Sequence, residues 1–165
     1  MFKIGEKIVY GMSGIYTVED IREETVLGQK RTYYILQSEG NMQSKVFVPV
    51  DSETLVASMR RTMSREDAEK IISEVKDIPE APWQKDSRQR SSQFRAIMES
   101  GDPRAVISVI KSLWKNSEAR KAEGKKTYMA DENSMRKAEK LLYSELSLAL
   151  GIPEDQVLSY IIEKC

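Results

Sequence analysis

The first sixty residues contain the short, alternating apolar runs that are typical of β-strands. Runs rich in Val, Ile, Tyr and Thr occupy residues 7–10, 15–21, 31–36 and 45–50, and turn-forming stretches separate them. Leu55 and Val56 could close a fifth strand. Strands this short and this numerous predict a small, strongly bent antiparallel β-barrel. Pro49 cannot donate to a strand ladder, so we expect the last run at a sheet edge or a strand end.

From residue 64 onward the apolar spacing becomes helical. Ser64 is a good N-cap for a helix that runs to about residue 76. Gly101 suits the left-handed position that ends a helix near residue 99, and Asp102 and Pro103 begin another that runs to about residue 115. Two more helices are predicted at about 131–150 and 153–163. We expect one apolar stripe of the helix after Asp102 in the core: Ala105, Val106, Val109, Ile110, Leu113 and Trp114.

Strands followed by helices, without alternation, predict an α+β chain of two domains. The first, residues 1–62, is a small antiparallel β-barrel of the SH3/Tudor-like kind. The second, residues 63–165, is an all-α helical bundle. Residues 78–83 contain two prolines, which favour extended geometry in the residues before them. We therefore expect a hinge between the two domains at about 78–83.

The composition argues against catalysis and against a metal site. The chain has no histidine, so the commonest general base and the commonest zinc ligand are both absent. Its one cysteine, Cys165, leaves no intrachain disulfide. No glycine-rich nucleotide loop or nucleophile motif is present. We expect a protein that is not an enzyme, with no cofactor and no metal. It also lacks an apolar run long enough to span a bilayer, so we expect a cytoplasmic protein without a membrane partner. We further expect it to be a monomer.

The net charge of zero conceals an uneven distribution along the chain. Residues 1–80 carry 11 basic and 14 acidic residues, whereas residues 83–128 carry 11 basic against 5 acidic. A basic middle segment indicates either a surface that meets a polyanion or an ordinary solvated helical face.

Several motifs together resemble the CarD family of bacterial transcription regulators. The N-terminal ones are residues 2–10 (FKIGEKIVY), 33–36 (YYIL) and 46–50 (VFVPV). The C-terminal ones are Trp83 with the arginines after it, the corner at 100–102 (SGD), and 112–115 (SLWK). The resemblance implies an N-terminal domain that binds the β subunit of RNA polymerase through an exposed strand edge, with Val46, Phe47 and Val48 facing the polymerase. These three residues could equally form a core strand, because alternation buries some of them.

The resemblance also implies that the helical domain binds promoter DNA, weakly and without sequence preference, at the upstream edge of the transcription bubble. Trp83 would act as an apolar wedge at the minor groove and thereby change the stability of the open complex. The alternative is a tryptophan that fastens the linker to the helices. The basic residues that would contact phosphates are Lys85, Arg88, Arg90, Lys125 and Lys126. For Lys125 and Lys126, the alternative is that they are simply solvated. A second interpretation of the chain is an SH3-like protein–protein adaptor that does not bind DNA.

Overall fold

The chain divides into two units, Met1–Thr62 and Met63–Cys165. The structure is a computed structural model that describes residues 1–165. The first unit contains a sheet and one short helix: β1 (Lys7–Tyr10), β2 (Ile15–Val26), β3 (Gln29–Ser38), β4 (Lys45–Pro49), α1 (Glu53–Ala57) and β5 (Met59–Arg61). A single 3-10 turn, Gly11–Ser13, separates β1 from β2.

The sheet is open and antiparallel, with the strand order β4-β3-β2-β1-β5. Its edges are β4 and β5, and the predicted closure into a barrel is not confirmed. The predicted fifth strand is also wrong, because Leu55 and Val56 lie in α1, whose N-cap Ser52 accepts a hydrogen bond from the Leu55 amide. The strand that pairs with β1 follows this helix. Pro49 is the last residue of the edge strand β4, as its missing amide hydrogen predicts.

One face of the sheet carries the hydrophobic core of the first unit, which contains Ile8, Tyr16, Val18, Tyr34, Leu36, Val48 and Met59. The strands β2 and β3 are joined by a two-residue turn, Leu27 and Gly28, in which both residues have positive φ. This is the backbone that tight antiparallel hairpins prefer, because its twist matches that of the strands.

The second unit is all-α: α2 (Arg65–Glu74), α3 (Ser87–Met98), α4 (Pro103–Ala122), α5 (Met129–Leu150) and α6 (Glu154–Lys164). The ends of these helices follow local chemistry. Ser64 and Asp67 form a reciprocal capping box at the start of α2. Asp102 caps α4 through the Arg104 amide, and Gly151 ends α5 in the left-handed conformation. The predicted helix after Asp102 is longer than expected and reaches Ala122 rather than residue 115.

The helix α5 lies at the centre of this unit, where it contacts α2, α3, α4 and α6. Its buried side chains recur at helical spacing and include Ala138, Leu142, Leu146 and Leu150. The all-α character of the second unit is as predicted, while the specific bundle arrangement stays a prediction.

The predicted hinge lies inside the second unit and not between the two. Residues 75–86, which we name the Trp83 loop, connect α2 to α3 and are attached to α4. The amide of Ala81 donates to the carbonyl of Ser108 at 3.0 Å. The ammonium group of Lys111 donates to the carbonyls of Val75 at 2.8 Å and Ile78 at 2.5 Å. A loop held by these bonds is a fixed part of the helical unit, because its backbone groups have partners on a rigid helix.

Candidate functional site

Arg90 is a buried internal residue, which corrects the prediction that it contacts DNA phosphate. It lies on α3 and is 1% exposed. Its Nε and Nη2 atoms donate to the two carboxylate oxygens of Asp131, at 2.8 Å each. Its Nη1 atom donates to the carbonyls of Gln84 at 2.8 Å and Lys85 at 3.2 Å. A guanidinium leaves water only when its charge and most of its donors are satisfied in this way, and at 1% exposure Arg90 does not reach a phosphate at the surface.

Trp83 lies directly against this buried arginine. The guanidinium carbon of Arg90 is 4.2 Å from the centroid of the Trp83 ring, within the range of a cation–π interaction. The ring also meets buried Phe94 edge to face, with centroids 6.1 Å apart. Trp83 is half-buried. It therefore packs on the helical unit, as the second alternative expects, without being fully enclosed, and its role as a wedge in DNA stays a prediction.

Tyr128 is a candidate site residue that the sequence reasoning did not include. It is 49% exposed and precedes α5, which places it one turn before Asp131. The guanidinium carbon of Arg120 lies 4.2 Å from its ring centroid, and that of Arg90 lies 5.6 Å from it. The signal available in the sequence is an aromatic residue two positions after Lys126, since proteins that bind nucleic acid combine aromatic and basic side chains.

The structure brings together two predicted groups that are far apart in the chain. The basic loop, which we define as residues 123–128, contains Lys125 and Lys126. Arg120 fixes this loop by donating from Nε to the carbonyl of Lys126 at 2.8 Å. Since Arg90 contacts both the Trp83 loop and Tyr128, the two loops meet at one place on the helical unit. We name the residues that join them, Trp83, Arg90, Tyr128 and Asp131, the Arg90 cluster.

The remaining predicted phosphate contacts are at the surface. Lys85, Arg88, Lys125 and Lys126 are all exposed. Lys125 makes a solvated ion pair with Glu123 at 3.1 Å, an interaction too weak to prevent it from binding a stronger anion.

Trp114 is not a core residue, which corrects the predicted stripe of α4. It is 60% exposed, whereas Val106, Val109 and Leu113 are buried as expected. Ile107 and Ser112 are buried as well, although the predicted stripe did not include them, so the buried face of α4 is rotated away from the side that carries Trp114. Trp114 instead lines a shallow groove of about 370 Å³ between α4 and α5.

In the first unit, only one of the three residues predicted to face the polymerase presents its side chain outward. Val48 is 0% exposed and belongs to the core, and Val46 is partly buried against that core. Phe47 is 45% exposed and its ring lies 6.2 Å from that of Tyr33. The side chains of Val46 and Val48 thus point to the core, as the core-strand alternative expects, and the assignment of residues 46–48 to the polymerase contact stays a prediction.

The backbone of β4 alternates in the same way as its side chains. Val50 donates to the carbonyl of Thr32, and Ser38 donates to the carbonyl of Ser44. The antiparallel register continues this pattern, so the even-numbered residues of β4 bond to β3. The amide and carbonyl of Phe47 consequently point away from the sheet, along an edge to which no further strand is paired.

The perturbed ionisable groups lie away from the Arg90 cluster. A hydrogen bond from the Lys3 amide lowers the pKa of Glu6, and the nearby Arg61 guanidinium lowers it further. Burial raises the pKa of Tyr143 to about 12. No group of three or more His, Cys, Asp or Glu side chains is arranged to hold a metal ion. None of the helices combines the length and the apolar character that a membrane crossing requires.

The two halves of the chain match two protein families. Residues 2–63 match the CarD-like/TRCF RID domain, and residues 70–162 match the CarD C-terminal domain. The chain therefore belongs to the CarD family of transcription regulators. A domain of the first kind implies an interaction with RNA polymerase. A relative in Bacillus subtilis (strain 168) carries the name "Putative transcription factor YdeB" and is 26% identical over 164 residues, which cover 97% of this chain and 99% of the relative.

Proposed function

We propose that the protein binds the β subunit of RNA polymerase and promoter DNA at the same time, and that it changes the stability of the open complex without catalysing a reaction. The observation that carries the proposal is the Trp83 ring, which is held at the surface by a buried arginine. Exposed basic residues occupy both loops that meet there.

The surface around Trp83 suits the edge of a melting duplex. An apolar side chain inserted at a base step can hold DNA bent or partly unstacked, at a cost of a few kcal/mol per step that its contacts must offset. Lys85 and Arg88 follow Trp83 closely, and Lys125 and Lys126 lie in the other loop. These side chains can neutralise phosphates, which position a protein on DNA without reading its sequence. We therefore expect weak binding with little sequence preference, by a protein that acts as a monomer.

The edge of β4 suits a β-strand of the polymerase β subunit. An unpaired strand edge is a template for strand addition, in which backbone hydrogen bonds provide affinity. Phe47 offers both an outward amide and an exposed ring at this edge. The first unit carries eight basic and eight acidic residues, so it has no basic surplus that would attract DNA.

An adaptor that binds two proteins and no DNA is the alternative, and the zero net charge of the whole chain favours it. The two functions differ in the response of DNA binding to salt, since phosphate contacts impose a steep dependence and an adaptor has none.

The decisive experiment compares Trp83→Ala with Trp114→Ala, a matched loss of a tryptophan from the same unit. Both full-length variants are added to polymerase holoenzyme on a promoter, and the decay of the open complex is followed. We expect Trp83→Ala to bring the lifetime toward the value measured without the protein. If the wedge offsets one unstacked step, the stabilisation of the open complex should fall by about 1–3 kcal/mol. Trp114→Ala should leave it unchanged, and equal lifetimes for the two variants would contradict the proposal.

A further inference from the structure

The ion pair between Arg90 and Asp131 is hard to explain by stability alone. Both side chains are buried, so both charges lose their hydration. The attraction between buried charges often only balances this loss, and apolar residues of similar volume usually stabilise such a position equally well. A charged pair at this position therefore indicates a role that apolar packing would not fill.

The hydrogen bonds of Arg90 indicate what that role is. Two of its nitrogens are bound by Asp131, which fixes the guanidinium plane relative to α5. The third nitrogen donates to the carbonyls of Gln84 and Lys85, the two residues that directly follow Trp83. The flat face of the same group lies 4.2 Å from the Trp83 ring. The nitrogen that Asp131 does not bind thus holds the backbone directly after Trp83, and the flat face of the guanidinium contacts the Trp83 ring.

We infer that Arg90 and Asp131 are positioning residues, which hold the Trp83 side chain in the orientation that contacts DNA. This inference rests on the proposed function of Trp83. An exposed ring on a loop can adopt several rotamers, and binding must then restrict it at a cost in entropy. A guanidinium that is itself locked by a bidentate carboxylate restricts the ring before DNA arrives, because it fixes both the backbone after Trp83 and one face of the ring.

The test uses the full-length chain with Trp114→Phe, so that Trp83 is the only tryptophan. Trp114 is largely exposed and lies outside the Arg90 cluster, so this background should fold normally. Asp131→Asn weakens the bidentate bond. The double variant Arg90→Met with Asp131→Leu replaces the pair by apolar residues that keep the volume. Glu154→Gln is the matched control, because it removes an exposed ion pair with Lys140 in the same unit.

Two quantities are measured on folded protein, as judged by thermal melting. The first is the fluorescence anisotropy of Trp83, with its quenching by acrylamide, and it reports the order of the ring without DNA. The second is the lifetime of the open complex formed with polymerase holoenzyme. We expect both cluster variants to lower the anisotropy, to increase quenching and to shorten the lifetime by the factor seen for Trp83→Ala, about 5- to 150-fold. Glu154→Gln should match the background protein in every measurement.

A double-mutant cycle separates positioning from a general loss of structure. If Asp131 acts through Trp83, adding Asp131→Asn to Trp83→Ala shortens the lifetime no further, whereas independent effects multiply. Multiplying effects, or a folded cluster variant with unchanged anisotropy, would overturn the inference. If Asp131→Asn does not fold, the apolar double variant decides the question alone. If Trp83→Ala leaves the lifetime unchanged, the proposed function fails, and the anisotropy still decides whether the ion pair orders Trp83.

Discussion

Two tryptophans in the helical unit differ in what surrounds them, and this difference sets their contributions to stability. Trp83 has a guanidinium on one face and the buried Phe94 at its edge. Trp114 is 60% exposed in the groove between α4 and α5. Loss of a side chain costs stability through the contacts that it makes in the folded state, and not through its size alone.

We predict that Trp83→Ala lowers the free energy of unfolding by about 1–2.5 kcal/mol, which is the sum of one cation–π interaction and one aromatic pair. Trp114→Ala should change it by about 0.5 kcal/mol or less, as is usual for surface substitutions. Urea denaturation, followed by circular dichroism at helical wavelengths, measures both values. A larger loss for Trp114→Ala than for Trp83→Ala would mean that the side chain of Trp114 is buried in solution.

Sequence reasoning failed at single residues where the answer depends on a partner far along the chain. Lys85, Arg88 and Arg90 are similar cations in one short segment, and only Arg90 is buried. Its partner Asp131 is 41 positions away, so nothing local separates it from the other two. The prediction that Trp114 is buried was wrong for a related reason. Apolar residues on two adjacent sides of α4 fit helical spacing, and only the packing of α4 on α5 determines which side is buried.

At the scale of elements, the prediction succeeded at helix starts that a side-chain cap determines. The starts of α2 and α4 were predicted from Ser64 and Asp102, and the structure confirms both. The strand β5 was missed because its three residues gain their conformation from pairing with β1, a tertiary contact without a local signal. The openness of the sheet was missed for the same reason, since closure depends on which strands meet.

The edge strand β4 offers a prediction in which two neighbouring positions should behave oppositely. We expect Phe47→Pro to keep the fold, because the Phe47 amide points away from β3. It should weaken binding to the polymerase β subunit at least about tenfold, since the partner loses a hydrogen bond and meets the proline ring. Val46→Pro should instead destabilise the sheet, because the Val46 amide bonds to β3.

Melting temperatures and a binding titration with purified β subunit distinguish these outcomes. Phe47→Ala is the control that removes the ring and keeps the outward amide, so it separates the side-chain contact from strand addition. If Phe47→Pro and Phe47→Ala weaken binding equally, the ring alone makes the contact and strand addition is not used. Full binding by Phe47→Pro would exclude this edge of the sheet as the polymerase site.

Over the whole molecule the net charge is zero, but the charges are distributed unevenly along the chain. The basic surplus lies in residues 83–128. Within that segment Arg90 is neutralised by Asp131 and Lys111 is occupied by backbone carbonyls, so neither adds to the field at the surface of the Arg90 cluster. The cations that the sequence predicts as phosphate contacts and that are exposed are Lys85, Arg88, Lys125 and Lys126. These four residues can make four phosphate contacts.

This number makes the salt dependence of DNA binding a quantitative prediction. Each phosphate contact contributes about −0.9 to the slope of log K against log salt concentration. We expect a slope no steeper than about −3.6 for the full-length chain on unrelated duplexes, with similar affinities for all of them. Lys85→Ala should make the slope less steep by about 0.9, while Lys140→Ala should leave it unchanged because Lys140 lies on α5 and pairs with Glu154. Fluorescence titrations of labelled duplex over a range of salt concentrations measure these slopes. A flat response would favour an adaptor that binds no DNA, and a slope well beyond −3.6 would require phosphate contacts by residues other than these four.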